Sequence, residues 1–336
     1  MSASGFLTAD QTLPAVSVVV PTKGRPELLD GCLLALLDQT YPLRDVEVIV
    51  VDDGADPATR DAVQRRAGGA IDVGLTLHYL TSSGKGPAAA RNVGWRSAKG
   101  SIIAFTDDDC LPSPEWLQAG IESMLRTSAD GVSGRISVPV PPTPTDYELS
   151  AARLEEGRFV TANCFYKREL LTELGGFDER FEVAWREDTD LMFSSLRAGK
   201  RLETCHAAVV EHPVRPAGWG ISVRQQRKTL FNPLLYRKHP RLYRQRIQAK
   251  PNWQYYIGTG AGLFAIAGLV LRRRGLAVLC GTTWLLMWLN FSRKRLIHTS
   301  RAPSHVLEML ATSAVIPPLA IYWRFRGNIR FRAWLI

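Results

Sequence analysis

The stretch Phe105 to Cys110, FTDDDC, follows the apolar run SIIA and sets Asp107, Asp108 and Asp109 in a row. Side chains of an extended segment alternate, so Asp107 and Asp109 leave the backbone in nearly the same direction and can converge on one cation. Their hard oxygens suit Mg2+ or Mn2+, ions that keep positions open for substrate phosphates and neutralise charge on a departing diphosphate. A structural reading of the same acids is that they favour the positive end of a helix at SPEWL, with Ser113 as its cap and Pro114 in its first turn. Three consecutive aspartates exceed what that role needs.

Comparable clusters follow other apolar runs. After VSVVV comes PTKGR, where Pro21, Thr22, Lys23 and Arg25 offer backbone donors and two cations; GKGPAAARNVG adds Lys85, Gly86 and Arg91 around a helix start suited to phosphate. Asp52 and Asp53 follow VEVIVV, where an aspartate can accept from a nucleobase N–H or a ribose hydroxyl, although Asp and Gly there are also simple turn formers. In AWREDTDL, Glu187 and Asp188 read either as acids in a first helical turn or as the source of a general base that takes a proton from a hydroxyl.

Something must hold these clusters together. From Val16 onward, short β-branched runs (VSVVV, VEVIVV, LTLHYL, SIIAF) alternate with helix-like stretches, which predicts a parallel sheet flanked by helices. Near-continuous apolarity predicts strands covered on both faces. In such sheets ligands bind beyond the carboxyl ends of the strands, where the polar clusters lie. GVSGRISVPV predicts a further strand, PVPPTPTDYELS a loop on the acceptor side, and a mixed sheet there is expected. FVTANCFYKRELLTELGGFDERF predicts strand, helix and glycine stop, followed by the loop EVAWRED and a helix closed by Gly199.

The ordered series VSVVVPTKGRPELL, VEVIVVDDGADP, GPAAARNVGWRSAKGSIIAFTDDDC and GGFDERFEVAWREDTDLMFSSLRAGKRL resembles the family 2 inverting glycosyltransferases over about residues 16 to 215. The resemblance implies an α/β GT-A fold, Rossmann-like, with a mostly parallel sheet and flanking helices. It implies that Asp52 or Asp53 contacts the nucleotide base, that Asp107 and Asp109 form the metal and diphosphate motif with Asp108 on the nucleotide side, and that Asp188 of the Glu187–Asp188 pair is the catalytic base. His212 lies where some relatives place a metal-side histidine. Relatives often carry a further acid where this chain has Cys110. The implied reaction is displacement at an anomeric carbon by an activated acceptor hydroxyl, with inversion and no covalent enzyme intermediate.

Composition bounds the rest. Up to Glu211 the chain has 21 Lys+Arg against 31 Asp+Glu, and beyond it 21 against 1, Glu308. Apolar runs alternate with the cations of the second half, as in segments lying in or on an anionic membrane; a nucleic-acid surface would be polar between its charges, so no nucleic-acid partner is expected. Five widely spaced cysteines without a Cys-x-x-Cys pair indicate neither a disulfide framework nor a zinc site and fit a reducing compartment. The first residues lack the basic start and apolar core of a signal peptide.

The expected organisation is a catalytic domain over 14–215, a basic amphipathic interfacial segment over 216–250, and membrane-associated helices over 251–336. The apolar segments Trp253 to Leu271 and Gly275 to Phe291 are near spanning length, with Arg272 to Arg274 between them; Val306 to Trp323 spans, bends or lies flat. The expected enzyme is a metal-dependent hexosyl- or pentosyltransferase at the cell membrane, its catalytic domain on the cytoplasmic side. Its partners are a UDP-linked or other nucleotide-sugar donor and a lipid-linked or cell-envelope glycan acceptor. The rivals are a processive polysaccharide synthase, although RQQRKT lacks the Trp of Gln-x-x-Arg-Trp, and a non-catalytic membrane-bound nucleotide-binding module.

Overall fold

The computed structural model describes residues 14–336. In chain order the elements are β1 (Val16–Thr22), α1 (Pro26–Leu37), β2 (Val46–Asp52), α2 (Pro57–Asp72), β3 (Thr76–Thr81), α3 (Pro87–Ser97), β4 (Ile102–Phe105), β5 (Leu111–Pro112), α4 (Trp116–Thr127) and β6 (Gly131–Ser137). They continue with α5 (Asp146–Ala152), β7 (Cys164–Lys167), α6 (Arg168–Leu174), α7 (Glu187–Arg197), β8 (Leu202–Glu211), α8 (Ile221–Gln225), α9 (Asn232–Lys238), α10 (Pro240–Arg246), α11 (Trp253–Val270), α12 (Arg274–Leu296) and α13 (Pro303–Phe331). Two compact units result, one reaching to Ser137 and including Arg158–His212, the other combining Val138–Gly157 with Pro213–Ile336.

In the first unit one eight-stranded sheet runs in the order β3-β2-β1-β4-β7-β6-β8-β5. The β3-β2-β1-β4 half is parallel, whereas β7 is antiparallel to both β4 and β6 and β5 is antiparallel to β8, giving the mixed half expected there. Every residue of β1, β2 and β4 is buried, as their β-branched runs require. β3 departs from the expectation of two covered faces: it is the edge strand, and His78 and Tyr79 remain half-buried. Prolines at the first position of α1, α2 and α3 fix the turn from strand into helix, and Asp56 caps α2 by accepting from the Ala58 N–H. The helix at SPEWL begins only at Trp116, without a side-chain cap; Ser113 instead accepts the Trp116 N–H through its backbone carbonyl. Trp116 then fills the core beside Phe165 and donates its indole N–H to Asn163.

Residues 138–157, expected within the catalytic domain, belong to the second unit. The reason is a half-buried polar joint: Arg295 of α12 pairs with Asp146 at 2.7 Å, and the Ser300 N–H donates to the Pro144 carbonyl. Here α11 and α12 form an antiparallel hairpin in unbroken register, Gly258 facing Met287, Gly262 facing Trp284 and Gly268 touching the backbone of Ala277. Small residues on α11 let the two backbones close. Among the described residues, α12 and α13 are long and apolar enough to cross a membrane by length and composition.

Candidate active site

The carboxyl ends of the parallel strands are tied into one rim. The Asp53 N–H donates to the Thr22 carbonyl and the Ser82 N–H to the Asp52 carbonyl, so the ends of β1, β2 and β3 are held level. Asp52 is fully buried; it accepts from the Gly54 N–H at 2.8 Å, the Asp56 N–H at 2.7 Å and the Tyr79 hydroxyl at 2.9 Å. Its carboxylate thus builds the turn. Asp53 takes the Gly86 N–H at 3.0 Å, accepts from Ser82, and lies 3.4 Å from the ammonium of Lys23, whose side chain remains exposed.

The aspartate run is not extended as the alternation argument requires: beyond β4 the chain turns at Asp108 and Asp109, and the Cys110 N–H donates to the Asp107 carbonyl. Asp108 turns inward: its Oδ2 accepts from Thr22 Oγ1 at 2.6 Å and its Oδ1 lies 2.8 Å from Arg25 Nη2. Burial pushes its pKa up to about 6 against the pull of Arg25. Asp108 thus ties β1 to the aspartate run through Thr22 and Arg25. Asp107 faces the other way and receives Arg91 Nη2 at 2.7 Å. Burial works against its ionisation, yet the charges of Arg91, His212 and Arg25 hold its carboxyl below the usual range.

Asp109 has different neighbours from Asp107 and shares Arg25 with Asp108. Its Oδ1 is 3.7 Å from His212 Nε2 and its Oδ2 is 3.9 Å from Arg25 Nη1. Asp109, Cys110 and His212 each offer a ligand atom, all within 4.8 Å of one another. This carboxylate and imidazole, too far apart for a direct hydrogen bond, fit a divalent cation between them. Asp107 stands outside that group, engaged by Arg91.

Arg91, expected at the phosphates, is 1% exposed and bridges the two acidic motifs, with Nη1 3.0 Å from Glu187 Oε1 and Nη2 on Asp107. Its place in α3, amid the buried Ala88, Ala89 and Ala90, leaves it no route to solvent. Glu187 and Asp188 open α7 after Arg186, which adopts φ 78° and stacks on Trp185 at 4.6 Å. Burial, with the Asp188 charge beside it, pushes Glu187 up to about 7, Arg91 opposing; burial also raises Asp188, against its hydrogen bonds from Thr189. Glu187 is buried and Asp188 half-buried, so Asp188 is the member of the pair that meets solvent.

Gly86 joins the donor side to the loop before α7. At φ 100° and ψ 178° it occupies a region open to glycine alone, and a Cβ there would lie 2.3 Å from the Glu182 carbonyl oxygen. Sequence reasoning missed the bridging role of Arg91, the support of Asp52 by Tyr79, and Cys110 beside the cation group. The one available signal was an arginine set inside the small-residue run PAAARN, which forecast burial.

Residues 17–178 match Glycosyl transferase family 2, and residues 102–325 match Glycosyl transferase family group 2. The chain belongs to the family 2 glycosyltransferases. It is 30% identical over 221 residues to glycosyltransferase AglE of Haloferax volcanii, covering 62% of this chain and 69% of that one. It is 28% identical over 291 residues to validoxylamine A glucosyltransferase of Streptomyces hygroscopicus subsp. jinggangensis, covering 73% and 65%. Among solved structures, the mannosyltransferase PcManGT from Pyrobaculum calidifontis, in complex with GDP-Man and Mn2+, matches with TM-score 0.60 and 22% identity over 93% of this chain and 88% of that one. That likeness establishes the GT-A fold of this family 2 glycosyltransferase.

Proposed function

We propose that this glycosyltransferase is membrane-associated and inverting, and moves one sugar from a nucleotide-sugar donor, expected to be UDP-linked, to a lipid-linked or cell-envelope glycan acceptor. The observation that carries the reading is the Arg91 bridge, because it sets the donor-side aspartates and the Glu187–Asp188 pair within one guanidinium of each other. In this reading Asp188 takes the proton from the acceptor hydroxyl, Glu187 and Arg91 position it, and Asp53, Lys23 and Arg25 form the donor rim. Asp109 and His212 would hold Mg2+ or Mn2+, which supplies charge neutralisation at the departing diphosphate when bound. Membrane attachment through 216–336 and a site on the cytoplasmic face are supported by the cation-rich second half, by α12 and α13, and by the five cysteines, all of them free.

Purified full-length protein with Mg2+ or Mn2+ should be stabilised by, and slowly hydrolyse, one of the UDP-, GDP- or dTDP-sugars. Silence toward every donor would defeat the reading. Because chondroitin synthase of Escherichia coli is 23% identical over 278 residues, the product on an acceptor should also be sized. A ladder of additions from a single encounter would replace single transfer by processive synthesis.

A further inference from the structure

The third apolar helix holds a clue to how the second unit meets lipid. α13 has 29 residues, about 44 Å at 1.5 Å per residue, against a hydrocarbon core of about 30 Å. One of its faces is covered along nearly its whole length by residues 220–238. The Gly220 N–H donates to Glu308, Gly327 packs on the Leu230 carbonyl, the rings of Phe231 and Phe331 lie 6.0 Å apart, and Arg237 Nη1 donates to the Phe331 carbonyl at 2.6 Å. That covering segment carries Arg224, Arg227, Lys228, Arg237 and Lys238. If α13 spanned the bilayer, it would drag these cations into the hydrocarbon, which strongly disfavours charge.

The opposite face of α13 is a continuous apolar stripe. Leu307, Val315, Tyr322, Phe325 and Ile329 are all exposed, at steps that keep one helical side, while His305, Met309, Thr312, Ile316 and Ala320 face inward. Arg326 and Arg330 flank the stripe near its end, Arg326 lying over the rings of Tyr322 and Trp323. Cations beside an apolar stripe match anionic headgroups above acyl chains. The polar contacts of the α11–α12 hairpin with α13 lie near its base, where Trp288 donates to the Leu310 carbonyl and Arg295 to Thr312 and Ser313, and farther along Leu263 and Ile266 line a cavity with Pro317 and Pro318. Beyond that base its outer surface is exposed Leu263, Phe264, Leu279 and Leu286. The stretch of α12 from Arg295 to Trp288 passes against only the shorter stretch of α13 from Thr312 and Ser313 to Leu310, so the two helices cross there.

We infer that α13 lies in the plane of the bilayer, its Leu307–Ile329 stripe seated in the acyl region below anionic headgroups, while the α11–α12 hairpin alone enters the hydrocarbon, tip first. The inference rests on the membrane reading above and decides between α12 and α13 as the element that enters. It also sets both ends of α13 at the same depth.

The test uses full-length protein in a Cys280→Ser background, since the other four cysteines are buried and shielded from label. Single nitroxides are placed through Leu307→Cys, Val315→Cys, Tyr322→Cys and Ile329→Cys, and on the hairpin through Leu263→Cys and Leu286→Cys. The protein is reconstituted in phospholipid vesicles with about one quarter anionic lipid, and depth is read from oxygen against nickel accessibility. Expected are four α13 labels at one shallow depth, about 5–10 Å below the headgroup boundary, with deeper hairpin labels. A profile with Val315 and Tyr322 at the bilayer centre and Leu307 and Ile329 near opposite surfaces would overturn the in-plane placement and leave membrane attachment standing. Hairpin labels that stay in water, in protein that floats free of vesicles, would overturn both.

Discussion

Arg91 and Glu187 form an ion pair buried from solvent, Nη1 to Oε1 at 3.0 Å, across 96 residues of chain. The second arm of the same guanidinium holds Asp107, so its removal strands two carboxylates at once. Arg91→Met should destabilise the protein by about 3–5 kcal/mol, the range for orphaning a partner of a buried pair. Thermal unfolding should show a fall on the order of 10 °C. Arg91→Lys should recover part of that stability but not both contacts, since an ammonium lacks the planar fork. A variant as stable as wild type would mean that the bridge is ornamental.

The Glu187–Asp188 pair should separate under neutral substitution. Asp188→Asn is expected to cut transfer by roughly 10² to 10⁴ fold while donor affinity changes little, as for loss of a general base. Glu187→Gln should be milder and show its cost in stability and in the pH profile. Steady-state rates together with donor titration read the difference; an active Asp188→Asn beside a dead Glu187→Gln would move the base by one residue.

The same pair sets a pH dependence with opposite signs for rate and stability. Glu187 titrates near 7 in the folded chain, above its ordinary 4.5, because burial and Asp188 disfavour its charge. Between those values the folded state binds more protons than the unfolded one, so this group's contribution to stability falls as pH rises through the window. The rate should do the reverse, because burial raises Asp188 too, so the acid limb of kcat/KM should lie above the ordinary carboxylate range and Glu187→Gln, by removing the neighbouring charge, should move it to lower pH.

Cation binding should depend on Asp109 and His212 more than on Asp107. Asp109→Asn and His212→Ala are each expected to weaken Mn2+ binding about tenfold or more, measured by the free-ion spin resonance signal without any substrate. Asp107→Asn should weaken it less while lowering the melting temperature through Arg91. Equal loss of Mn2+ in all three would restore the Asp107–Asp109 pairing that the alternation of side chains first suggests.

Gly86→Ala should act at a distance from its own position. The added methyl meets the Glu182 carbonyl at 2.3 Å, so the 182–186 loop must move and carry the start of α7 with it. Acceptor KM should rise and proteolysis near Trp185 should quicken, with donor binding weakened less.

The parallel half of the sheet was legible because VSVVV, VEVIVV and SIIA are short, largely β-branched and bounded by turn residues, and the polar residues after them fall at the rim by topology alone. The edge position of β3 was not, since strand order is settled by pairing across the chain and LTLHYL reads like its neighbours. Alternation pairs Asp107 with Asp109, but the run turns after Asp107, which meets Arg91 of α3, while Arg25 reaches both Asp108 and Asp109. Arg91 illustrates the limit. A cation near a helix start suits phosphate by local rules, and only the packing of α3 shows that two carboxylates have already claimed it.

The Asp146–Arg295 joint also bears on how the protein is made. Its two halves are 149 residues apart in the chain, and residues 138–157 are synthesised before β7, α7 and β8 of the other unit. At about 5–20 residues per second, Asp146 leaves the ribosome on the order of 10 s ahead of the arginine that neutralises it. Over that interval α5 is held by its Thr145–Glu148 capping box and by the turn after it, where Glu155 accepts from the Val138 N–H. If the first unit closes as it is made, it does so around a looped-out segment whose partner helix has yet to be synthesised, which would make the timing of translation part of the folding of this glycosyltransferase.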